Sequence, residues 1–333
     1  MPKTRLVNAT FSHSINAQSK GVELLDYLCI KFPYHRRNEW EERLQKGNLR
    51  IDGELPTASL KLLTGMRLEY RMEDYLEPEV PISFHTILKE RTLALVHKPP
   101  GLPVHKTGKI FINTLSNLFR EAVQDSSWAP LHRLDMETSG IVAFARGREN
   151  LKKFSPSETN TQWVKLYLAG LVGLIPEQGE LSYPLLENLA GPIRSQMLPN
   201  SLGKPAKTLF HVLHRHQKNS LVLVRTLTGR KHQIRAHFAA EGFPLIGDKI
   251  YSHAGHFYLK RLEGELTEAD FQQLGAPYHL LHALYLKIES EDNQGISGWD
   301  LTLPPAFLDH FPTMKTDLEF FLKSSAFQNL VRA

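Results

Sequence analysis

The chain has 333 residues, 41% hydrophobic and 23% charged, which is length for roughly two ordinary domains with real cores and excludes a disordered polymer. Forty Lys and Arg against 35 Asp and Glu leave a net charge of +5, a tilt toward polyanionic partners too small to name one. The single cysteine, Cys29, excludes an internal disulfide; no apolar run approaches the ~20 residues of a membrane span, and the N-terminal stretch lacks a signal peptide's apolar core, so a cytoplasmic protein is expected.

Residues 16–76 read as one small α+β module. Leu24, Leu25, Leu28 and Phe32 fall on one helical face, and Pro33 with the polar residues after it ends that helix. A second helix is expected from Asn38 as N-cap to Gly47 as stop, with Trp40 and Leu44 on its apolar side. Asp52-Gly53 between short apolar runs signals a hairpin, and Met66, Leu68, Tyr70 and Met72 alternate with charges as in a half-buried strand. His35, Arg36, Arg37, Arg43, Lys46 and Arg50 are read as exposed cations, either a solvated face or one that follows phosphates; Arg36 and Arg37 are the chosen contacts. Residues 77–88, acidic and carrying prolines, read as a linker. From 89 to 305 short strand-like runs alternate with helical ones, giving a second α+β domain, and 306–333 reads as a helical tail.

Four segments of the larger domain concentrate polar groups at turns. "LVHKPPGLPVH" (95–105) ends an apolar strand in a Pro-Pro-Gly turn flanked by His97, Lys98 and His105. "HRLDMETSG" (132–140) sets His132, Arg133, Asp135 and Glu137 before a Thr-Ser-Gly turn and the apolar run "IVAFA", which places Asp135 on a loop fixed by a sheet. An ionised aspartate can act as a nucleophile if a cation holds it, although such an Asp equally serves to stabilise a turn. In "WVKLYLAG" (163–170), Lys165 and Tyr167 share one face of a strand; Tyr167 is either a core aromatic or a residue that stacks on a base or moves a proton. "RTLTGRKHQIRAHFAAEGFPLIGD" (225–248) joins a strand to a helix and gathers Arg225, Arg230, Lys231 and Arg235, with His232 at the helix start, an anion site for a phosphate or for Asp135. His232 and His237 lack zinc spacing and a completing ligand, so no metal is expected.

Taken in order, "KPPGLPVH", "HRLDMETSGIVAFAR", "KLYLAGLVG", "TGRKHQIRAHFAAEGFPLIGD" and "LHALYLKI" resemble the successive signatures of the RluA-type pseudouridine synthases, over about residues 87–305. The module in front resembles the small ribosomal-protein-type RNA-binding module often fused to that catalytic domain. The resemblance implies an α+β catalytic fold with a mixed, largely antiparallel sheet flanked by helices, where periodicity alone gives only α+β. It implies isomerisation of specific uridines in ribosomal or transfer RNA, with no cofactor. It assigns Asp135 as the essential carboxylate, acting by attack on the sugar or by assisting elimination, and Tyr167 as the stacking tyrosine. Arg235 is chosen as Asp135's cation and Arg133 as the residue that replaces the extruded base. His132, Arg230, Lys231, His232 and Lys98 complete the expected RNA contacts, and Ile234 and Leu134 the apolar pocket wall. Glu137, at a variable position of the signature, is read as a bystander, and Lys231 stands where Thr or Ser is usual. A monomer with RNA as its partner, no membrane and no metal is expected.

Two other readings fit parts of the sequence. A nucleoside glycosidase would need Asp135 and Glu137 on opposite sides of the substrate, which two positions of one tight turn can hardly supply. A non-catalytic RNA-binding factor would not need Asp135, Tyr167 and Arg235 together.

Overall fold

The computed structural model describes residues 6–32, 35–156 and 160–332, so Pro33, the expected helix breaker, lies outside the described residues. The chain divides into two compact units, one of residues up to 80 together with 105–118, the other of 81–104 and 119 onward.

The first unit holds strand β1 (Leu6–Ser14), helices α1 (Leu24–Lys31) and α2 (Arg37–Gln45), and strands β2 (Leu49–Ile51) and β3 (Arg67–Leu76). Its sheet runs β1-β3-β2, all antiparallel. Leu24, Leu25 and Leu28 from α1 and Trp40 from α2 pack with Leu49, Ile51, Leu68, Tyr70 and Met72 in one core. The apolar positions foreseen on both helices and on the strand therefore meet in a single layer. The second helix starts two residues earlier than Asn38 suggests: Arg36 occupies the cap, and its N–H donates to the Glu39 carboxylate at 2.6 Å. Asp52 and Gly53 both have positive φ, as their turn requires, but the turn closes only one bridge, Ile51 to Glu54, and Ile51 pairs instead with β3. The stretch read as a linker is built into the structure at both ends. Glu77 is fully buried and accepts the backbone N–H groups of Phe111, Ile112 and Asn113, and His85–Lys89 forms a strand.

The second unit begins with β4 (His85–Lys89) and β5 (Leu93–Lys98). After α3 (Leu115–Val123), which straddles the division, come β6 (Trp128–Pro130), β7 (Ser139–Arg146), α4 (Gly147–Lys153), β8 (Thr161–Val172), β9 (Gln178–Leu181), β10 (Leu185–Glu187) and β11 (Met197–Pro199). They are followed by β12 (Thr208–His216), β13 (Asn219–Thr226), α5 (Gln233–Ala240), α6 (His256–Glu263), α7 (Glu268–Leu274), β14 (Leu281–Ser290), β15 (Gly295–Trp299) and the closing helices α8 (Pro305–His310), α9 (Met314–Leu322) and α10 (Ser325–Arg332). Ten strands form one sheet, ordered β4-β5-β7-β14-β8-β13-β12-β9, with β15 beside β14 and β6 beside β7. All its pairings are antiparallel except β7 with β14, so the sheet is mixed and largely antiparallel. At that parallel contact only glycine fits: Gly140 has φ +106, and a Cβ there would lie 2.3 Å from the Ala283 carbonyl.

Strand alternation divides the core between the sheet's two faces. Ala169, Leu171, Val222, Val224 and Leu281 pack with Ile234 and Phe238 of α5. Their neighbours Leu168 and Leu221 pack with Phe307, Phe311 and Met314, while Leu223 and Leu284 pack with Leu318 and Phe321. The C-terminal helices are thus the cover of one sheet face. Ile141 to Ala145 of β7 are buried throughout, which accounts for an unbroken apolar run where an edge strand would alternate.

Candidate active site

The loop between β6 and β7 carries Asp135 into a cavity of about 570 Å³ in the second unit. Leu134, Lys165, Tyr167, Ile234 and Arg235 line it, with Arg133 among its lining residues. Three elements supply these groups. Lys165 and Tyr167 project from β8, Ile234 and Arg235 come from the first turn of α5, and Asp135 comes from the loop that precedes β7.

Asp135 keeps only 22% of its side-chain surface and accepts an Arg235 guanidinium N–H at 2.7 Å. The rest of that guanidinium is held by Asp248, whose two oxygens accept from Nε at 2.7 Å and from the other terminal nitrogen at 2.9 Å. Asp248 is fully buried and is itself fixed by the N–H groups of Ile250 and Tyr251. Burial alone would push the Asp135 carboxyl up, but the Arg235 charge and hydrogen bond outweigh it and bring it down to about 2. Asp135 is therefore an anion at neutral pH, although it is largely removed from water. Burial and the nearby Asp135 charge push the Tyr167 phenol up, so it stays protonated as a polar, stackable ring. Burial lowers Lys165 to about 8, and its ammonium lies 4.4 Å from the centre of the Trp163 ring.

The loop is tied down almost residue by residue. Lys98 is fully buried and donates to the carbonyls of Pro99, Leu102 and Met136 at 3.0, 2.8 and 2.9 Å. It cannot reach RNA, and the expectation that it does is corrected: three carbonyls accept its hydrogen bonds, which join the Pro-Pro-Gly turn to the Asp135 loop. Glu137 is no bystander either. Its carboxylate accepts both bonds from Lys249 at 2.9 Å and one from Arg261 at 3.0 Å, and it lies 3.7 Å from His279. Thr138 bonds His279 at 2.7 Å and Ser139 bonds His282 at 2.8 Å, with His282 in turn on the Asp300 carbonyl. Nε2 of His282 donates to that carbonyl, and in the neutral ring that burial favours its Nδ1 accepts from the Ser139 hydroxyl. Burial lowers both histidines to about 4.

Other sequence-selected residues divide. Ile234 and Leu134 are buried and line the cavity. Arg133, Arg230 and Lys231 are exposed lining residues; Lys231 is paired with Glu187 at 2.7 Å and Arg230 bonds the Pro205 carbonyl. His132 faces the cavity, but its Nε2 accepts from the Ala143 N–H, and burial lowers it to about 3, so it is a neutral anchor rather than a cation. His232, at positive φ, sits 3.7 Å from Asp135 and is lowered to about 4, chiefly by burial. Arg225 leaves the cluster: one residue out of step with Val224 and Thr226, it faces the opposite side of the sheet and donates to the Leu330 carbonyl. In the first unit Arg36 and Arg37 are exposed, Arg37 pairing with Asp26 at 2.7 Å. His35 is not exposed as read; it is buried against Tyr70 and lowered to about 4 by burial and by Arg43. Lys249, Arg261 and His279 were missed because their shared partner Glu137 lies more than a hundred positions away; Asp248, only 13 residues from Arg235, closed the fourth segment but was given no role.

The profile of the family described as RNA pseudouridylate synthase matches residues 92–240, which include Asp135, Tyr167 and Arg235. An uncharacterized RNA pseudouridine synthase of Synechocystis sp. is 30% identical over 241 residues, covering 70% of this chain and 80% of that one. The chain belongs to the RNA pseudouridine synthase family. Ribosomal large subunit pseudouridine synthase D of Pseudomonas aeruginosa is 26% identical over 310 residues, covering 91% of this chain and 95% of its own. Among solved structures, human RNA pseudouridylate synthase domain containing 1 superposes with a TM-score of 0.54 at 25% identity, over 69% of this chain and 89% of that one. This pseudouridine synthase is accordingly an isomerase, of the RluA type, with the α+β fold of its relatives.

Proposed function

We propose that this enzyme converts uridine to pseudouridine in ribosomal or transfer RNA, with Asp135 as the essential carboxylate. One observation carries the reading: an aspartate kept ionised by a buried Arg235 whose Nε and other terminal nitrogen are held by Asp248, inside a cavity walled by Tyr167 and Ile234. The isomerisation breaks the bond from ribose carbon 1′ to uracil nitrogen 1 and makes one to carbon 5. Nitrogen 1 gains a proton and carbon 5 loses one, so atoms and electrons balance with no carrier, and the proposal includes no cofactor. A desolvated anion beside the sugar suits either attack on carbon 1′ or stabilisation of positive charge there during elimination.

Tyr167 supplies a face for the uracil ring to stack on. Arg133, exposed and close to Asp135 in the chain, is suited to fill the gap left by an extruded nucleotide, since the sugar is reachable only when its base leaves the stack. Arg230 and Lys231 are the phosphate contacts of this unit. Arg36 and Arg37 are proposed as those of the first unit, which we read as an RNA-binding module. We place the enzyme in the cytoplasm as a monomer, in keeping with its single cysteine. Among the described residues no helix is long and apolar enough to cross a membrane.

The test is tritium release from RNA labelled at uracil carbon 5, with wild-type protein and Asp135→Asn. The wild type releases tritium, the RNA mass stays unchanged, and the variant releases none. Free uracil among the products would instead establish hydrolysis, and full activity in Asp135→Asn would end the assignment of Asp135.

A further inference from the structure

A second cavity, of about 690 Å³, opens beside the first, and the two share Glu187, Gly229, Arg230 and Lys231 as lining residues. Its outer wall is the β10–β11 hairpin. The hairpin turns Leu185 and Met197 inward, where they pack with Ala236 of α5, and leaves Leu186, Leu189 and Leu198 exposed around the cavity by 40, 67 and 39%. Three exposed leucines on a short hairpin cost solubility and contribute nothing to the core, so they mark a contact surface. Lys204, Arg230 and Lys231 complete the lining with positive charge.

The hairpin is also braced against the catalytic ion pair. Met197 N–H donates to the Tyr251 hydroxyl at 2.7 Å, and the Arg235 guanidinium lies 5.2 Å from the centre of the Tyr251 ring. At the shared lip Lys231 is held by Glu187 at 2.7 Å, both side chains being open to solvent. An exposed pair of this kind is weak and exchanges readily for a stronger anion.

We infer that this second cavity receives the nucleotide next to the target in the RNA chain, its base lying on Leu186, Leu189 and Leu198 and its phosphate taking Lys231 from Glu187. The inference rests on the proposed RNA substrate. A nucleotide is the occupant that fits, because a polymer whose one unit enters the Asp135 cavity must lead its next unit across the shared lip. A flat base needs an apolar shelf and the phosphate between two units needs cations, and the two lie here in that order. The leucine shelf accepts any base with an apolar face, so it adds affinity and fixes the strand's path rather than reading a particular base.

The test is equilibrium dialysis of the full-length protein with uridine 5′-monophosphate and with the dinucleotides UpA and ApU. At least one dinucleotide binds about tenfold tighter than the mononucleotide. Leu189→Asp abolishes that advantage without altering mononucleotide binding, Leu189→Met preserves it, and Glu187→Gln increases it a few-fold. Leu189 is largely exposed, so its replacements leave the fold intact. The inference is overturned if neither dinucleotide exceeds the mononucleotide, including the case where none of the three binds, or if Leu189→Asp leaves the dinucleotide advantage in place. An advantage unchanged or reduced in Glu187→Gln overturns the displacement of Glu187. Tritium release separates this from the enzymatic reading. Wild-type protein with the dinucleotide preference but no release retains the second cavity and loses the reaction, whereas release without the preference does the reverse.

Discussion

Exposed ion pairs occur in both units, but among the described residues buried Lys and Arg side chains occur only in the second. In the first, Arg37–Asp26, Lys46–Glu42 and Arg71–Glu73 are pairs between side chains about half exposed. In the second, Arg235, Lys249 and Lys98 are buried, and each is matched to acceptors that leave it little freedom. Water and salt screen the first kind, so each pair contributes little and its cation stays available to a phosphate. The second kind cannot fall back on water, so losing one partner leaves a buried charge at a cost of about 3–5 kcal/mol. A cation left open to an outside anion and a cation that holds the Asp135 loop are therefore distinguished by burial, not by residue type.

The strongest challenge to this contrast is Arg235→Met, which strands Asp135 and Asp248 together. Tritium release is expected to fall by a factor on the order of a thousand and stability by about 3–5 kcal/mol in urea. Arg235→Lys, which keeps the charge but not the forked geometry, retains more stability than activity. Equal stability of wild type and Arg235→Met would mean the two carboxylates do not depend on this guanidinium.

Acid comes next in size. The buried rings of His279 and His282 are neutral in the fold, lowered to about 4, whereas an unfolded histidine takes its proton near 6.5. The unfolded chain thus binds more protons between those values, and stability falls as pH drops from about 6.5 to about 4. Asp135 acts lower on the scale: its depressed value contributes stability above the unfolded carboxyl range that is lost as pH falls toward 2. The urea midpoint followed from pH 7 to pH 4.5 should decline steadily, and His282→Asn should flatten the curve. A midpoint independent of pH across that window would contradict the neutral histidines.

Lys98→Met should cost about 2–3 kcal/mol, because the carbonyls of Pro99, Leu102 and Met136 lose their donor. As the Met136 carbonyl belongs to the Asp135 loop, kcat is expected to drop about tenfold with KM nearly unchanged. A rise in KM alone would return Lys98 to the role of an RNA contact.

The smallest effect belongs to the first unit. Arg37→Ala should leave stability essentially unchanged, while the salt dependence of RNA binding loses about one unit of slope. An unchanged slope in filter binding would leave Arg37 a solvated surface charge.

Much of the site was legible in the sequence because its chemistry is packed into short stretches. Taken singly, "HRLD", "KLY" and "HQIR" left a structural role open for each residue; only their order, as the resemblance to the family's signatures, singled out Asp135, Tyr167 and Arg235, which the fold brings to one cavity. Lys98, Glu137 and Arg225 were misplaced for one shared reason: local pattern tells that a side chain is charged but not which acceptors surround it. Glu137 reads as variable and idle until Lys249, Arg261 and His279, over a hundred residues later, close around it. The small unit behaved similarly. Its helices and alternating strand were readable from apolar spacing, but a histidine set among arginines, His35, was taken for surface although Tyr70 buries it.

By itself the sequence determined where the apolar stripes and turns fall, hence an α+β chain, and which polar segments sit at turns and strand ends. These are properties of neighbours a few residues apart, governed by periodicity and backbone preference. Only the tertiary structure decided the order of ten strands, the C-terminal helices as cover of a sheet face, and the partner of every buried charge. Such pairings join residues distant in the chain, and their strength comes from the removal of water, which no local pattern of residues records.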